Sequence, residues 1–128
     1  MTRTAVTVSG SAAVAVGPYS HGVEADRLIF LSGQTPLDPT TGALVGGGIE
    51  EQTRRCLDNL AAVLEGAGLG LDDVVKCTVF LTDMADFAAM NAAYRGYFAE
   101  PFPSRTTIGV AALPLGAAVE IELVALRP

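Results

Sequence analysis

The period of apolar and polar positions changes several times along the chain, and each change predicts a new element. Residues 28–36, LIFLSGQTP, are rich in β-forming residues and end at a proline, which predicts a buried strand. Residues 73–81, DVVKCTVFL, predict another strand because β-branched residues dominate them, and residues 4–8 alternate weakly. Two last strands are predicted at 105–111 and 118–126, on either side of a turn at LPLG.

Two segments between these strands have a helical period instead. In residues 49–67 the apolar positions share one helical stripe, which consists of Cys56, Leu57, Leu60, Val63, Leu64 and Ala67. Glu50 and Glu51 favour the start of this helix through its dipole, and Gly66 favours its end. The first helix is therefore predicted to bury its stripe against the sheet.

A second helix is predicted from Asp83, a favourable N-cap residue, to about Phe98. Its stripe consists of Phe87, Met90, Asn91, Tyr94 and Phe98. Asn91 places an amide within this stripe, and a buried amide needs hydrogen-bond partners. Those partners are either a ligand or the backbone, and the sequence favours neither.

The elements follow the order strand, strand, helix, strand, helix, strand, strand, with no linker and no repeat. We interpret residues 1–128 as a single α+β domain in which both helices pack on one face of a mixed sheet. The other face is then uncovered in a single chain. Its small and polar residues are typical of a subunit interface with a polar pocket.

Alternation along the last two strands predicts which charged residues lie on the uncovered face. It groups Arg105 with Glu120 and Glu122 on that face, away from the helices. If the two strands form a hairpin, Arg105 and Glu120 lie on the order of 20 Å apart within one chain. A site shared between subunits would remove this separation.

Composition and charge narrow the function classes. The net charge is −6 and the 8 lysine and arginine residues are scattered, so no basic stripe is available for nucleic acid. Cys56, Cys77 and the single His21 make neither a disulfide framework nor a metal site. No apolar run reaches the ~18 residues of a membrane span, and the N-terminus lacks the Leu-rich centre of a signal peptide. We therefore expect a soluble cytoplasmic protein that binds neither nucleic acid nor membranes.

Arg105 is the one charged residue between Glu100 and Glu120, and it precedes an apolar run. A buried guanidinium is costly without a partner that replaces its lost hydration. The partner is either a bound carboxylate or a glutamate of a neighbouring subunit, Glu120 or Glu122. The residues alone leave these two interpretations even.

Five segments together resemble one known family. They are GPYSHGV, LSGQTPLDPTTG, QTRRCLDNLAAVLEGAG, VVKCTVFLTDMADFAAMNAAYRGYF and the pair PFPSRTTIGVAALP and VEIELVAL. In this order they resemble the RidA (YjgF) family of reactive intermediate deaminases, over essentially the whole chain. The resemblance implies a chorismate-mutase-like α+β fold, assembled as a homotrimer with three sites between subunits. It also implies cofactor-free hydrolysis of enamines and imines, such as 2-aminoacrylate and 2-iminopropionate, to 2-keto acids and ammonia.

The resemblance also implies roles for individual residues. Arg105 matches the arginine that binds the substrate carboxylate, and Glu120 matches the glutamate thought to orient the attacking water. Further substrate-binding positions are implied at Tyr19, Ser32, Gly33, Asn91 and Thr107. Thr107 stands where many members have cysteine, so the pocket width and the preferred substrate are open. With the resemblance, we favour a ligand carboxylate as the partner of Arg105.

These residue types suit the hydrolysis of an imino acid. A guanidinium binds a carboxylate through two parallel hydrogen bonds. A carboxylate such as Glu120 can stabilise an iminium and accept a proton from water. Such imines already hydrolyse in water, so positioning and one charge are a sufficient catalyst, without a metal or a cofactor. The alternative for Glu120 and Glu122 is a solvated strand face.

Other functions stay in competition with this hypothesis. A trimeric regulator would keep Arg105 and bind 2-keto acids or other carboxylates without turning them over. A pathway-specific deaminase would act on a different enamine, and Thr107 keeps that alternative open. Ribonuclease or translation inhibition is attributed to some members of this family, but the acidic balance of the chain argues against it.

Overall fold

The computed structural model describes residues 2–8, 15 and 17–128 of the chain. Its strands and helices, in chain order, are β1 (Thr4–Ala5), β2 (Gly22–Ala25), β3 (Leu28–Gln34), α1 (Ile49–Gly66), β4 (Val74–Leu81), α2 (Phe87–Arg95), β5 (Ser104–Gly109) and β6 (Val119–Leu126). Short 3-10 turns precede β4, α2 and β6, at Leu71–Asp73, Met84–Asp86 and Pro114–Gly116.

The strands form one mixed sheet in the order β1-β2-β3-β6-β4-β5. β4 and β5 are parallel, whereas the other neighbouring strands are antiparallel. The last two strands do not form the hairpin that was assumed for the distance between Arg105 and Glu120, because β4 lies between β5 and β6. The chain crosses over through α2 between β4 and β5, which allows these two strands to be parallel.

Both helices pack on one face of this sheet, and the predicted α+β class is confirmed. In α1, the members of the predicted stripe that are fully buried are Cys56, Leu57, Leu60, Val63 and Leu64. Ala67, which follows the last helical residue, is half-buried. The strand residues facing the helices include Ile29, Cys77, Val79 and Ile121, all with no exposed surface. The core therefore lies between the helices and the central strands.

The second helix is shorter than predicted. Asp83 is a cap, as expected, but it caps a 3-10 turn, and the α-helix itself begins at Phe87. The helix ends at Arg95, where Gly96 follows, and does not continue to Phe98. Phe98 still packs in the core, with 8% of its surface exposed. Within the described residues, no helix combines the length and apolar character that a bilayer span requires.

β2 lies inside a segment, residues 9–26, that the sequence predicts to be a connection. Its 4 residues, GVEA, contain only one β-branched side chain, so local propensity gives little signal there. Pairing with β3 makes it a strand. Residues 9–14 and 16 of the same connection lie outside the described residues.

None of the described residues covers the opposite face of the sheet. Glu120 pairs with Phe80, which also pairs with Ile108, so these side chains share that face. Phe30 and Ile108 are each 42% exposed. Exposed apolar side chains beside a carboxylate suit a subunit interface, and the homotrimer stays a prediction.

Candidate active site

Arg105 faces the helices and not the uncovered face on which the sequence pattern placed it. It pairs with Cys77, and Cys77 also pairs with Leu123. Both partners lie in the core, with 0% and 2% of their surface exposed, so this row faces the helices. Glu120 precedes Leu123 by three positions on β6 and points to the opposite face. The predicted grouping of Arg105 with Glu120 and Glu122 is therefore wrong, because β5 takes its register from β4.

Three side chains of α2 surround the Arg105 guanidinium. Its Nη2 donates a hydrogen bond to Asn91 Oδ1 at 2.6 Å. Its Cζ lies 4.7 Å from the centroid of the Tyr94 ring and 5.7 Å from that of the Phe87 ring. A guanidinium carries five N–H donors, so most of them are left for a ligand. No carboxylate among the described residues forms an ion pair with it.

A cavity of about 370 Å³ opens beside this guanidinium. Its lining side chains are Asn91, Tyr94, Arg95, Phe102 and Arg105. They include two cations and an amide but no acid, so the cavity suits a small anion. Thr107 lies on the same face of the sheet, because it pairs with the fully buried Val79. We call this cavity the arginine half-site.

A second cavity, of about 400 Å³, lies around Glu120. Its lining residues are Tyr19, Ser32, Gly33, Thr35, Pro114, Leu115, Glu120 and Glu122. Four predicted site residues, Tyr19, Ser32, Gly33 and Glu120, thus come together here, although none of them lines the first cavity. We call this cavity the glutamate half-site. The chain therefore divides its predicted site residues between two places.

Gly33 makes room for the Glu120 carboxylate. The pairing of β3 with β6 shifts register between Leu31 and Gln34, which leaves Ser32 and Gly33 outside the regular ladder. A Cβ atom built on Gly33 would lie 2.9 Å from Cδ of Glu120, closer than a real Cβ atom approaches. Any larger residue at this position must therefore displace the carboxylate.

Ser32 fastens the loop that carries Tyr19. Its hydroxyl donates a hydrogen bond to the carbonyl oxygen of Ser20 at 2.7 Å. Its backbone N–H donates to the carbonyl oxygen of His21 at 2.9 Å. The Tyr19 ring meets the His21 ring edge-on, with centroids 6.3 Å apart. His21 is itself buried and its Nδ1 lies 2.9 Å from Gln34 Nε2. Because the serine proton is already used, Ser32 has only acceptor capacity left for a substrate.

The two half-sites treat charge differently. Burial, and then the nearby carboxylate of Glu122, raise the pKa of Glu120 from its ordinary value. A carboxylate with a raised pKa is a stronger base once it is ionised. Burial also raises the pKa of Tyr94, so its hydroxyl stays protonated beside Arg105. The same cause raises the pKa of Cys77, which keeps this thiol neutral and unreactive.

A metal centre has no obvious place among the described residues. No group of three or more His, Cys, Asp or Glu side chains in that part of the chain could hold an ion. Cys56 and Cys77 are both buried and free. The arrangement supplies instead an anion-binding guanidinium and a basic carboxylate.

Two features of these cavities do not follow from the sequence pattern. The pattern assigns Tyr94 to the helix stripe, whereas its ring also contacts the Arg105 guanidinium. Tyr94 lies three residues after Asn91, and this spacing places both side chains on one helical face. Leu115 lines the glutamate half-site with 63% of its surface exposed, in a left-handed conformation with φ 61°. The sequence predicts a turn there, but not that the turn borders Glu120.

Comparison with known proteins places these residues in a family. A family sequence model described as Endoribonuclease L-PSP matches residues 9–127. The 2-iminobutanoate/2-iminopropanoate deaminase of Mus musculus is 47% identical over 116 residues, which cover 91% of this chain and 86% of the mouse protein.

Solved structures agree with that match. The crystal structure of the YjgF gene product from E. coli has a TM-score of 0.91 and 41% identity, covering 98% of this chain and 99% of that one. E. coli TdcF, solved with bound serine, has the same TM-score and 38% identity, with coverage of 98% and 99%. With a match across nearly the whole sequence, this chain belongs to the RidA (YjgF) family.

Proposed function

We propose that this protein hydrolyses imines and enamines of small amino acids, of the 2-iminopropionate and 2-aminoacrylate type, to 2-keto acids and ammonia. The mouse relative, 47% identical, bears the name of such a deaminase. The observation that carries the proposal is the complementarity of the two half-sites. One offers a guanidinium that no acid among the described residues pairs with, and the other offers a carboxylate whose pKa burial raises.

Neither half-site is complete within one chain. Arg105 and Glu120 point to opposite faces of the sheet, and their rows are three residues, or about 10 Å, apart along β6. A three-carbon imino acid is too short to reach both. We therefore propose a homotrimer in which a neighbouring copy covers the exposed face. Each site takes Arg105, Asn91 and Thr107 from one subunit and Tyr19, Ser32, Gly33 and Glu120 from the next.

The proposed reaction is the addition of water followed by loss of ammonia. Arg105 binds the carboxylate of the protonated imine, and Glu120 accepts a proton from a water molecule as its oxygen bonds to C2. The C=N electron pair moves to nitrogen and gives a neutral carbinolamine. Glu120 then returns the proton to the nitrogen, the C–N bond breaks and ammonia leaves. The hydroxyl proton passes to Glu120 as the ketone forms, and Glu120 gives it to the ammonia, which departs as ammonium.

This mechanism asks little of the protein. Such imines hydrolyse spontaneously, so holding the substrate and one water together accounts for a useful acceleration. The carboxylate also stabilises the positive charge of the iminium, in a site where burial strengthens that interaction. Water is the nucleophile, and these steps need no covalent attachment to the protein, no metal and no cofactor.

The first test measures hydrolysis of freshly generated 2-iminopropionate, with semicarbazide trapping the remaining imine. Wild type, Arg105→Ala and Glu120→Gln are compared with a control lacking enzyme. Arg54→Ala is the matched control, because Arg54 is an exposed arginine paired with Glu51 on α1. We expect wild type and Arg54→Ala to exceed the spontaneous rate and the two site variants to match it.

A mixing experiment tests the shared site. If Arg105→Ala and Glu120→Gln subunits are unfolded, mixed equally and refolded, about a quarter of the sites receive Arg105 and Glu120 intact from two neighbours. Activity should therefore return to about a quarter of the wild-type value. Mixing without regain of activity, or a monomeric protein in sedimentation, would remove the shared site.

Three outcomes would indicate a different function. Wild type that matches the spontaneous rate on every small imine tested, yet binds pyruvate or 2-ketobutyrate through Arg105, would indicate a carboxylate-binding regulator. Activity confined to a larger enamine would indicate a pathway-specific deaminase. Degradation of RNA at low salt that Arg105→Ala does not abolish would indicate an unrelated activity.

A further inference from the structure

The irregular part of β3 needs support that the sheet does not give. Ser32 and Gly33 fall in the register shift between Leu31 and Gln34, so strand pairing does not fix them against β6. Thr35 follows directly and lines the glutamate half-site. The width of this half-site therefore depends on whatever holds residues 33–37 in place.

Asn59 of α1 holds that segment from behind. Its Nδ2 donates hydrogen bonds to the carbonyl oxygens of Thr35 at 3.3 Å and Leu37 at 2.9 Å. Its Oδ1 accepts a hydrogen bond from Arg55 Nε at 3.1 Å, which fixes the orientation of the amide. Asn59 has no exposed surface, so water cannot replace these bonds if they are lost.

The same face of α1 also holds the chain that leads into Glu120. Gln52 lies seven residues, or two helical turns, before Asn59 and so shares its face. Its Oε1 accepts a hydrogen bond from the backbone N–H of Ala118 at 2.9 Å. Between them, Cys56 Sγ lies 3.8 Å from the carbonyl oxygen of Val119. One row of side chains thus contacts the backbone on both sides of the cavity.

We infer that Asn59 and Gln52 are positioning residues that set the distance between the Gly33 wall and the Glu120 carboxylate. Neither side chain lines the glutamate half-site. They act through the backbone of Thr35, Leu37 and Ala118. The effect on turnover rests on the proposed function, whereas the effect on the segment 33–37 does not.

The two amides have opposite hydrogen-bond roles, and this makes the inference testable. Asn59 uses its amide as a donor to two carbonyls, so Asn59→Asp replaces both bonds by repulsion between oxygens. Gln52 uses its oxygen as an acceptor, so Gln52→Glu keeps that bond. Both changes preserve side-chain shape, so packing alone makes no such distinction. The cost of a new charge at the buried Asn59 would speed hydrogen exchange throughout the core, whereas the lost bonds speed it around Thr35 and Leu37.

The experiment measures kcat, KM and amide hydrogen exchange. For Asn59→Asp we expect kcat to fall by about 10- to 100-fold, since misplacement by about 1 Å has that effect. KM should change less than about threefold, because Arg105 lies on the other face and α2 holds it. Gln52→Glu should retain more of the wild-type kcat than Asn59→Asp does. Asp58→Asn, an exposed acid-to-amide change at the next residue, is the control.

Hydrogen exchange separates this inference from the proposed function. Backbone amides of residues 33–37 should exchange faster in Asn59→Asp than in wild type or Asp58→Asn, whether or not any imine is hydrolysed. Faster exchange in Asn59→Asp, together with a wild type that hydrolyses no imine, would contradict the proposed function and still support the positioning role. Unchanged exchange, or an equal loss of kcat in Asn59→Asp and Gln52→Glu, would overturn the positioning role. If Asn59→Asp does not fold, Gln52→Leu gives the test, with a loss of kcat at nearly constant KM as the expected result.

Discussion

The arginine half-site and the glutamate half-site hold their charged groups by different means. Arg105 lies on the edge strand β5, and α2 side chains fix its long guanidinium: the Asn91 oxygen at 2.6 Å and the Tyr94 ring at 4.7 Å. Glu120 lies on β6, between β3 and β4, and the backbone of Gly33 sits against its carboxylate. Side chains of α2 thus fix the long, flexible Arg105 side chain at the sheet edge, whereas the backbone at Gly33 limits where the Glu120 carboxylate can lie.

The surroundings also affect the two charges in opposite ways. Aromatic faces stabilise the guanidinium, since the negative face of a ring attracts a cation. Burial and Glu122 disfavour the carboxylate and raise the pKa of Glu120. The first half-site therefore suits binding of a ligand, and the second suits acceptance of a proton. Variants in the two half-sites should separate these two functions.

Among variants that leave both charged groups in the site, the largest effect is expected from Arg105→Lys. Lysine keeps the positive charge but loses the planar pair of donors that binds a carboxylate bidentately. We expect kcat/KM for 2-iminopropionate to fall on the order of 100-fold or more, as when a buried charged contact is lost. The binding of pyruvate, measured by calorimetry, should weaken in parallel. Wild-type affinity in this variant would mean that Arg105 is only a point charge.

The next effect is expected from Gly33→Ala, which acts on the backbone of the other half-site. The added Cβ must push the Glu120 carboxylate away, so we expect kcat to fall by about 10- to 100-fold. Gly46→Ala is the matched control, because no atom lies within 4 Å of a Cβ built there. The control should keep its activity. Equal activity of the two variants would contradict the close approach of Gly33 and Glu120.

A smaller effect is expected from Asn91→Ala in the arginine half-site. The change removes the hydrogen bond that orients Arg105 but leaves the guanidinium and both rings in place. A hydrogen bond to a charged group contributes about 1.5 kcal/mol at the low end of its range, which suits the half-buried Arg105, so we expect KM to rise by about 10-fold. The value of kcat should change little, because Glu120 is not touched. A loss confined to kcat would instead assign Asn91 to the chemical step.

The sequence names Arg105, Asn91 and Glu120 as candidate site residues, but it does not predict that they divide between two faces of the sheet. Asn91 stood out as an amide on an apolar helical stripe, and its partner proved to be Arg105. Alternation could not predict this contact, because β5 follows a crossover connection and pairs with β4 and not with β6. Alternation fixes which residues of one strand share a face. It does not fix which strand lies beside it, and this is where the prediction for Arg105 failed.

Burial of the apolar stripe of α1, by contrast, could be predicted from the sequence. The stripe of α1 is local and regular, so five of its six members proved fully buried. The bulge in β3 at Ser32 and Gly33 follows from tertiary contacts, and a glycine alone does not reveal the neighbour that requires it. The family resemblance implies a site role for Gly33, which stays a prediction, whereas its close approach to Glu120 follows from the tertiary structure alone.

The smallest effect is expected from Glu122→Gln, and it concerns pH. Glu120 must be ionised to accept a proton, so activity is lost as pH falls through its pKa, which lies above the ordinary value. Glu122 is the second cause of that rise, after burial, and its neutral replacement should lower the pKa of Glu120. The acid limb of the kcat profile should therefore move to lower pH, without reaching that of an exposed glutamate. Glu65→Gln, at an exposed position on α1, should leave the limb where it is. Any titration of the substrate affects all the variants equally. An acid limb that does not move in Glu122→Gln would mean that burial alone raises the pKa of Glu120.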